Sequence, residues 1–87
     1  MLSVWIDQDL CTGDGLCVQY ARPVFEMDLD GLAYVKDDAD ELQLAPGAKV
    51  AVPADLVDDV IASAKECPGN CIHVEDAAGV AVAGPNA

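Results

Sequence analysis

The sequence predicts a small α+β domain, with two helices packed on a short antiparallel sheet. Three observations carry this. Apolar residues alternate in short segments near both ends of the chain, at Val4/Ile6 and Ile72/Val74, the period of half-buried strands. One longer segment, 53–66, repeats its apolar residues at helical spacing. The whole chain has 87 residues, room for a single domain.

Ser3–Asp7 reads as the first strand, with Val4 and Ile6 inward and Trp5 on the other face, packed under a neighbouring strand or the tail. Leu16–Ala21 reads as a short helix that Pro23 closes. Phe25 and Met27 follow, then a turn at Asp28-Leu29-Asp30-Gly31 and a strand over Leu32–Val35. Lys36–Ala51 reads as a surface loop, with an acidic cluster at Asp37, Asp38, Asp40 and Glu41 and a turn at Pro46-Gly47. Short strands are read within it, near 42–44 and 49–52. Pro53–Glu66 is the clearest helix: Leu56, Val57, Val60, Ile61 and Ala64 form one stripe. Pro53 suits the first turn, and Asp55, Asp58 and Asp59 favour the positive end of the helix dipole. Ile72–Glu75 is a further strand. After a turn at Ala78-Gly79, Val80–Ala83 is predicted to pair back onto it. One domain, 1–87, is expected, with 80–87 as C-terminal strand and tail.

Composition narrows the function. Sixteen acids face four bases, a net charge of −12. Nucleic acid and anionic membrane surfaces are excluded as partners, because phosphate binding needs clustered Lys and Arg. A basic protein partner is the natural complement; solvation of the surface is the plainer use of the same charge. The N-terminus lacks the basic region of a signal peptide, and no apolar run approaches the roughly 18 residues of a spanning helix. A cytoplasmic, reducing location is expected. There, grouped cysteines point to metal or redox chemistry rather than disulfides.

A domain of this size is marginal without a staple, and the cysteines supply one. Cys11 and Cys17 stand at the first and third positions of the bacterial iron–sulfur run C-x2-C-x2-C, and Cys67-Pro68 is its distant closing element. The middle position holds Asp14. Thiolates are the soft ligands that iron in a sulfide-bridged cluster prefers. Gly13 and Gly15 let the loop between them bring backbone N–H groups toward the sulfurs. Two other readings of the four cysteines fit less well. Zinc pairs are typically spaced C-x2–4-C, shorter than Cys11 to Cys17. Structural disulfides need an oxidising compartment.

These residues resemble a known family. Asp7-Gln8-Asp9-Leu10-Cys11, the glycine-flanked C-x5-C, Pro23-Val24-Phe25, Asp30-Gly31 and Cys67-Pro68 are similar to bacterial single-cluster ferredoxins, of the actinobacterial type with one replaceable position between two cysteines. The resemblance covers residues 3–75 and implies a ferredoxin-like β-α-β repeat fold around one iron–sulfur cluster. It implies Cys11, Cys17 and Cys67 as ligands. Asp14 takes the place of the missing thiolate. A 3Fe–4S cluster is the favoured reading; a 4Fe–4S cluster with Asp14 as fourth ligand is the alternative, since a carboxylate binds iron as a harder ligand.

Cys71 lies where relatives have a small residue, and is expected to pack near the cluster rather than bind it. His73, between two inward residues, is expected at the surface. Tyr20 and Phe25 are expected in the core, shielding the cluster. The implied function is a one-electron carrier, not an enzyme. It would run from an NAD(P)H-dependent ferredoxin reductase to a redox enzyme, in relatives often a haem-thiolate cytochrome monooxygenase. Docking would be transient and electrostatic, and the carrier a monomer. Two rival functions stand beside it: a regulatory protein that switches between three and four irons at Asp14, and a structural zinc module.

Overall fold

The computed structural model describes residues 2–11, 13, 15–37, 41–45, 47–67, 69 and 71–84. Asp14, Asp38, Asp40, Pro46, Pro68 and the last three residues of the predicted tail lie outside them. Among the described residues, six strands and two α-helices follow in the order β1 (Ser3–Ile6), α1 (Leu16–Tyr20), β2 (Phe25–Met27), β3 (Ala33–Val35), β4 (Val50–Ala51), α2 (Val57–Glu66), β5 (Ile72–Glu75) and β6 (Ala81–Ala83).

The fold class is the predicted one, but the strands divide into two antiparallel sheets. One is four-stranded, in the order β4-β1-β5-β6; the other is the hairpin β2-β3. The β1–β5 register sets Val4 opposite Val74 and Ile6 opposite Ile72. These four apolar side chains are fully buried on one face, so a period of two becomes a core. The hairpin adds Phe25, Ala33 and Val35, and lies against β1 through β3. The loop between its strands is the predicted turn, closed by Gly31 N–H to the Asp28 carbonyl (3.0 Å) and Leu32 N–H to Asp30 Oδ1 (3.0 Å). Of the two strands considered in the 36–51 loop, one forms: Val50–Ala51 pairs with β1. Near 42 there is only an isolated bridge, Lys36 with Leu42.

The helix predicted from Pro53 opens with a 3-10 turn, Ala54–Leu56, before α2 proper. Val60 and Ala64 are buried on its inner face, with Ser63 beside them. Ser63 is hidden at no polar cost, because its hydroxyl donates to the Val60 carbonyl (2.6 Å). The first turn of α2 carries Asp58 and Asp59, and its last turn Lys65, the sense the helix dipole favours. α2 packs on β5 and β6, whereas α1 packs mainly on α2 and on β2. The two helices therefore do not share one sheet as the sequence suggests. The short α1 rides on the long one.

The far face of the four-stranded sheet corrects the expectation for His73. It does point away from Ile72 and Val74, yet it is buried. Its cross-strand partner is Trp5, and the two rings stack 4.0 Å apart at 7°. The Trp5 indole N–H donates to Glu75 (3.1 Å), and Lys49 pairs with the same carboxylate (2.6 Å). Tyr20 corrects another: it is exposed, while Phe25 is fully buried as expected. Among the described residues no helix is long and apolar enough to cross a membrane.

Candidate functional site

Two segments bring the cysteines together. The first leaves β1 through a tight turn: Leu10 N–H donates to the Asp7 carbonyl (3.0 Å) and Cys11 N–H to the Gln8 carbonyl (3.3 Å). The second leaves α2 at Cys67, whose extended backbone (φ −67°, ψ 115°) ends the helix, and returns into β5 after Cys71. Asp7 N–H donates to the Cys71 carbonyl (2.8 Å) and so ties the two segments directly.

The hairpin holds the first segment from the side. Ala33 N–H donates to Cys11 Sγ (3.4 Å), and the Gln8 side-chain amide donates to the Ala33 carbonyl (3.3 Å). Both backbone groups of one β3 residue are thus spent on the cysteine loop. At its apex Gly13 sits at φ +75°, where a Cβ would come within 2.7 Å of the Gly31 carbonyl oxygen. The loop lies directly on the hairpin turn, an approach that only glycine permits.

Cys17 enters from α1. Its thiol is pushed up to about 11, chiefly by burial, with the neighbouring Cys11 and Cys67 thiols adding to the rise and a backbone hydrogen bond at Val18 opposing it. Cys11 and Cys67 are half-buried; Cys71 is almost wholly buried, with its Sγ 3.5 Å from Cys67 Sγ. Burial, then Cys67, then Cys11 hold the Cys71 thiol far above the usual range. All four thiols are unbridged. The Cys17 thiol thus feels both Cys11 and Cys67, and Cys71 lies against Cys67. Asp14 lies outside the described residues.

The donor set suits an iron–sulfur cluster. It is soft, it comes from two segments, and it carries an N–H donor aimed at a sulfur, one of the levers on cluster potential. Among the described residues no group of three His, Cys, Asp or Glu side chains is set to hold a single metal ion. Loading must displace the thiol protons, so it is favoured by rising pH.

Sequence reasoning missed two supports. The Ala33 N–H depends on strand pairing, which no local pattern reveals. The other is Tyr34, whose hydroxyl donates to Asp30 Oδ2 (2.6 Å) across the turn under Gly13. That bond lowers the Asp30 carboxyl and raises the Tyr34 phenol to about 12. The signs give a window. The depressed Asp30 contributes stability above the carboxylate range, lost as pH falls through its folded value. The raised Tyr34 contributes below about pH 10, its ordinary value, and loses it as pH rises through about 12. Denaturant midpoints of wild type and Tyr34→Phe should therefore differ most near neutral pH and converge at both extremes. A pH-independent difference would show that the bond contributes nothing.

A small α+β domain with cysteine thiols on the loop after β1, on α1 and at the end of its longer helix is the class of scaffold that iron–sulfur proteins use. The chain belongs to the 4Fe-4S single cluster domain family, whose model matches residues 4–74; these are ferredoxins, electron carriers rather than enzymes. It is 31% identical over 71 residues to a ferredoxin of Bacillus subtilis (strain 168), covering 82% of this chain and 79% of that one. Among solved structures it is similar to a 3Fe–4S ferredoxin associated with CYP194A4 from R. palustris HaA2, with TM-score 0.69 and 31% identity over 85% of this chain and 97% of the other. It is also similar to wild-type Hydrogenobacter thermophilus ferredoxin 1, with TM-score 0.73 and 29% identity over 87% and 99%. The chain is thus an iron–sulfur electron carrier with a single cluster.

Proposed function

We propose that Cys11, Cys17 and Cys67 bind one 3Fe–4S cluster. The protein then passes single electrons from an NAD(P)H-dependent ferredoxin reductase to a redox enzyme of the haem-thiolate cytochrome monooxygenase class. What supports this reading is the C-x5-C and C-P pattern, with Asp14 where the run would have its second cysteine and a Cys17 thiol that feels those of Cys11 and Cys67. The similarity to a 3Fe–4S ferredoxin associated with CYP194A4 supports both the cluster type and the acceptor. We read the chain as actinobacterial in type, cytoplasmic and monomeric.

The cluster, when bound, supplies reversible one-electron uptake. The chain supplies the rest. Burial of Cys17 keeps water from that sulfur, and the Ala33 N–H steadies charge on Cys11 Sγ. Leu10 and Leu29 stand exposed in the two loops that meet at Gly13 and Gly31. Asp9 and Asp30 flank them. Such a face suits a basic partner that binds briefly, since turnover requires release.

The test is the rate of electron transfer from a bacterial NAD(P)H-dependent ferredoxin reductase against ionic strength. It should fall steeply as the Debye length shrinks from about 10 Å at 0.1 M salt to about 3 Å at 1 M. A flat profile would remove the acidic docking face from the account.

A further inference from the structure

Cys71 is the one cysteine outside the C-x5-C and C-P pattern, yet its Sγ sits 3.5 Å from Cys67 Sγ. That is contact distance for two sulfurs, about 1.5 Å beyond a covalent S–S bond. The two residues are four apart in Cys67-Pro68-Gly69-Asn70-Cys71. Cys67 is half-buried, which gives a small reagent a way in; Cys71 is almost fully covered behind it.

We propose that Cys67 and Cys71 are a dithiol–disulfide pair, and that closing it takes Cys67 away from the cluster. The inference rests on Cys67 being a ligand. A sulfur in a disulfide has no thiolate to give to iron, so the bridged and loaded forms exclude each other.

The co-reactant is a low-molecular-weight disulfide such as oxidised glutathione. The Cys67 sulfur, losing its proton, attacks one sulfur of that disulfide and expels the other half as thiolate, which takes up a proton. Cys71 Sγ, losing its proton in turn, attacks the Cys67 sulfur of the mixed disulfide and expels the second half as a thiol. Two cysteine thiols give up two electrons and two protons, and one small disulfide becomes two thiols. A reductant reverses the sequence. In a reducing cell such a bridge would be transient, the usual form of cytosolic disulfides. It would hold an emptied protein in a protected form, its ligand thiol shielded from irreversible oxidation.

The experiment uses the full chain as purified with its iron. The protein is treated with an iron chelator and oxidised glutathione, then blocked with an alkylating agent, and its cysteine linkages are mapped by mass spectrometry. The expected product is a Cys67–Cys71 bridge, with Cys11 and Cys17 alkylated. Return of the visible cluster absorption, with iron and sulfide added without thiol, should be slowed ~tenfold or more relative to protein treated with the chelator alone, and restored by dithiothreitol. Cys71→Ala, and independently Cys71→Ser, should instead accumulate a stable glutathione adduct on Cys67. A dominant Cys11–Cys71 or Cys11–Cys17 linkage in the wild type would overturn the proposal. So would persistent glutathione on its Cys67. Protein that never carries iron would instead overturn the electron-carrier reading, and the linkage map would still decide the pair.

Discussion

Gly13→Ala should lose most of its cluster, while Gly15→Ala should keep it. The two glycines share a backbone conformation, φ +75° and +74°, so the left-handed cost of roughly 1–2 kcal/mol is common to both. They differ in what a Cβ would meet. At Gly15 nothing lies within 4 Å; at Gly13 the Gly31 carbonyl oxygen is 2.7 Å away. That oxygen is backbone, so no rotamer change relieves the clash. The loop must lift from the hairpin turn. Lifting it pulls Cys11 off the Ala33 N–H and away from Cys17 and Cys67. Iron content of the two variants, purified in parallel, checks this. Equal iron in both would mean that the contact between loop and turn does not position the ligand.

Asp14→Cys should convert a three-iron protein into a four-iron one. The substitution restores the second thiolate of the C-x2-C-x2-C run. Thiolate is a softer and stronger ligand for cluster iron than carboxylate, so the fourth iron should be held rather than exchanged. Iron per chain should rise by about one. If wild type and variant carry the same iron, the residue at 14 does not set the cluster type.

How much of this was legible in the sequence depends on the range of the interactions involved. β1 and β5 were readable because Val4/Ile6 and Ile72/Val74 alternate within each segment, and a period of two is a local signal. α2 was readable for the same reason at period 3.6. Its 3-10 opening was not, since Pro53 favours a first turn of either kind. The cysteine pattern was readable because its spacing is written along the chain. The hairpin turn and the strand after it were readable too; that β2 and β3 form a sheet of their own was not, because three residues each do not say which neighbour they pair with. His73 shows the limit most clearly. Alternation gave its face correctly, but what covers that face is Trp5, set opposite it by the strand register. Tyr20 fails in the other direction. It is an aromatic on a helix of five residues, and only the helix's position on α2 and β2 decides that the ring faces solvent. The Ala33 N–H and the Tyr34–Asp30 bond are likewise products of pairing, invisible to composition.

The most direct test of the account is EPR on anaerobically purified protein, before and after dithionite, with iron and sulfide counted on the same sample. The account predicts a signal in the oxidised protein and about three irons per chain. An oxidised protein that is silent, gains a signal on reduction and carries four irons would contradict the three-iron assignment. A protein without iron would contradict the cluster itself.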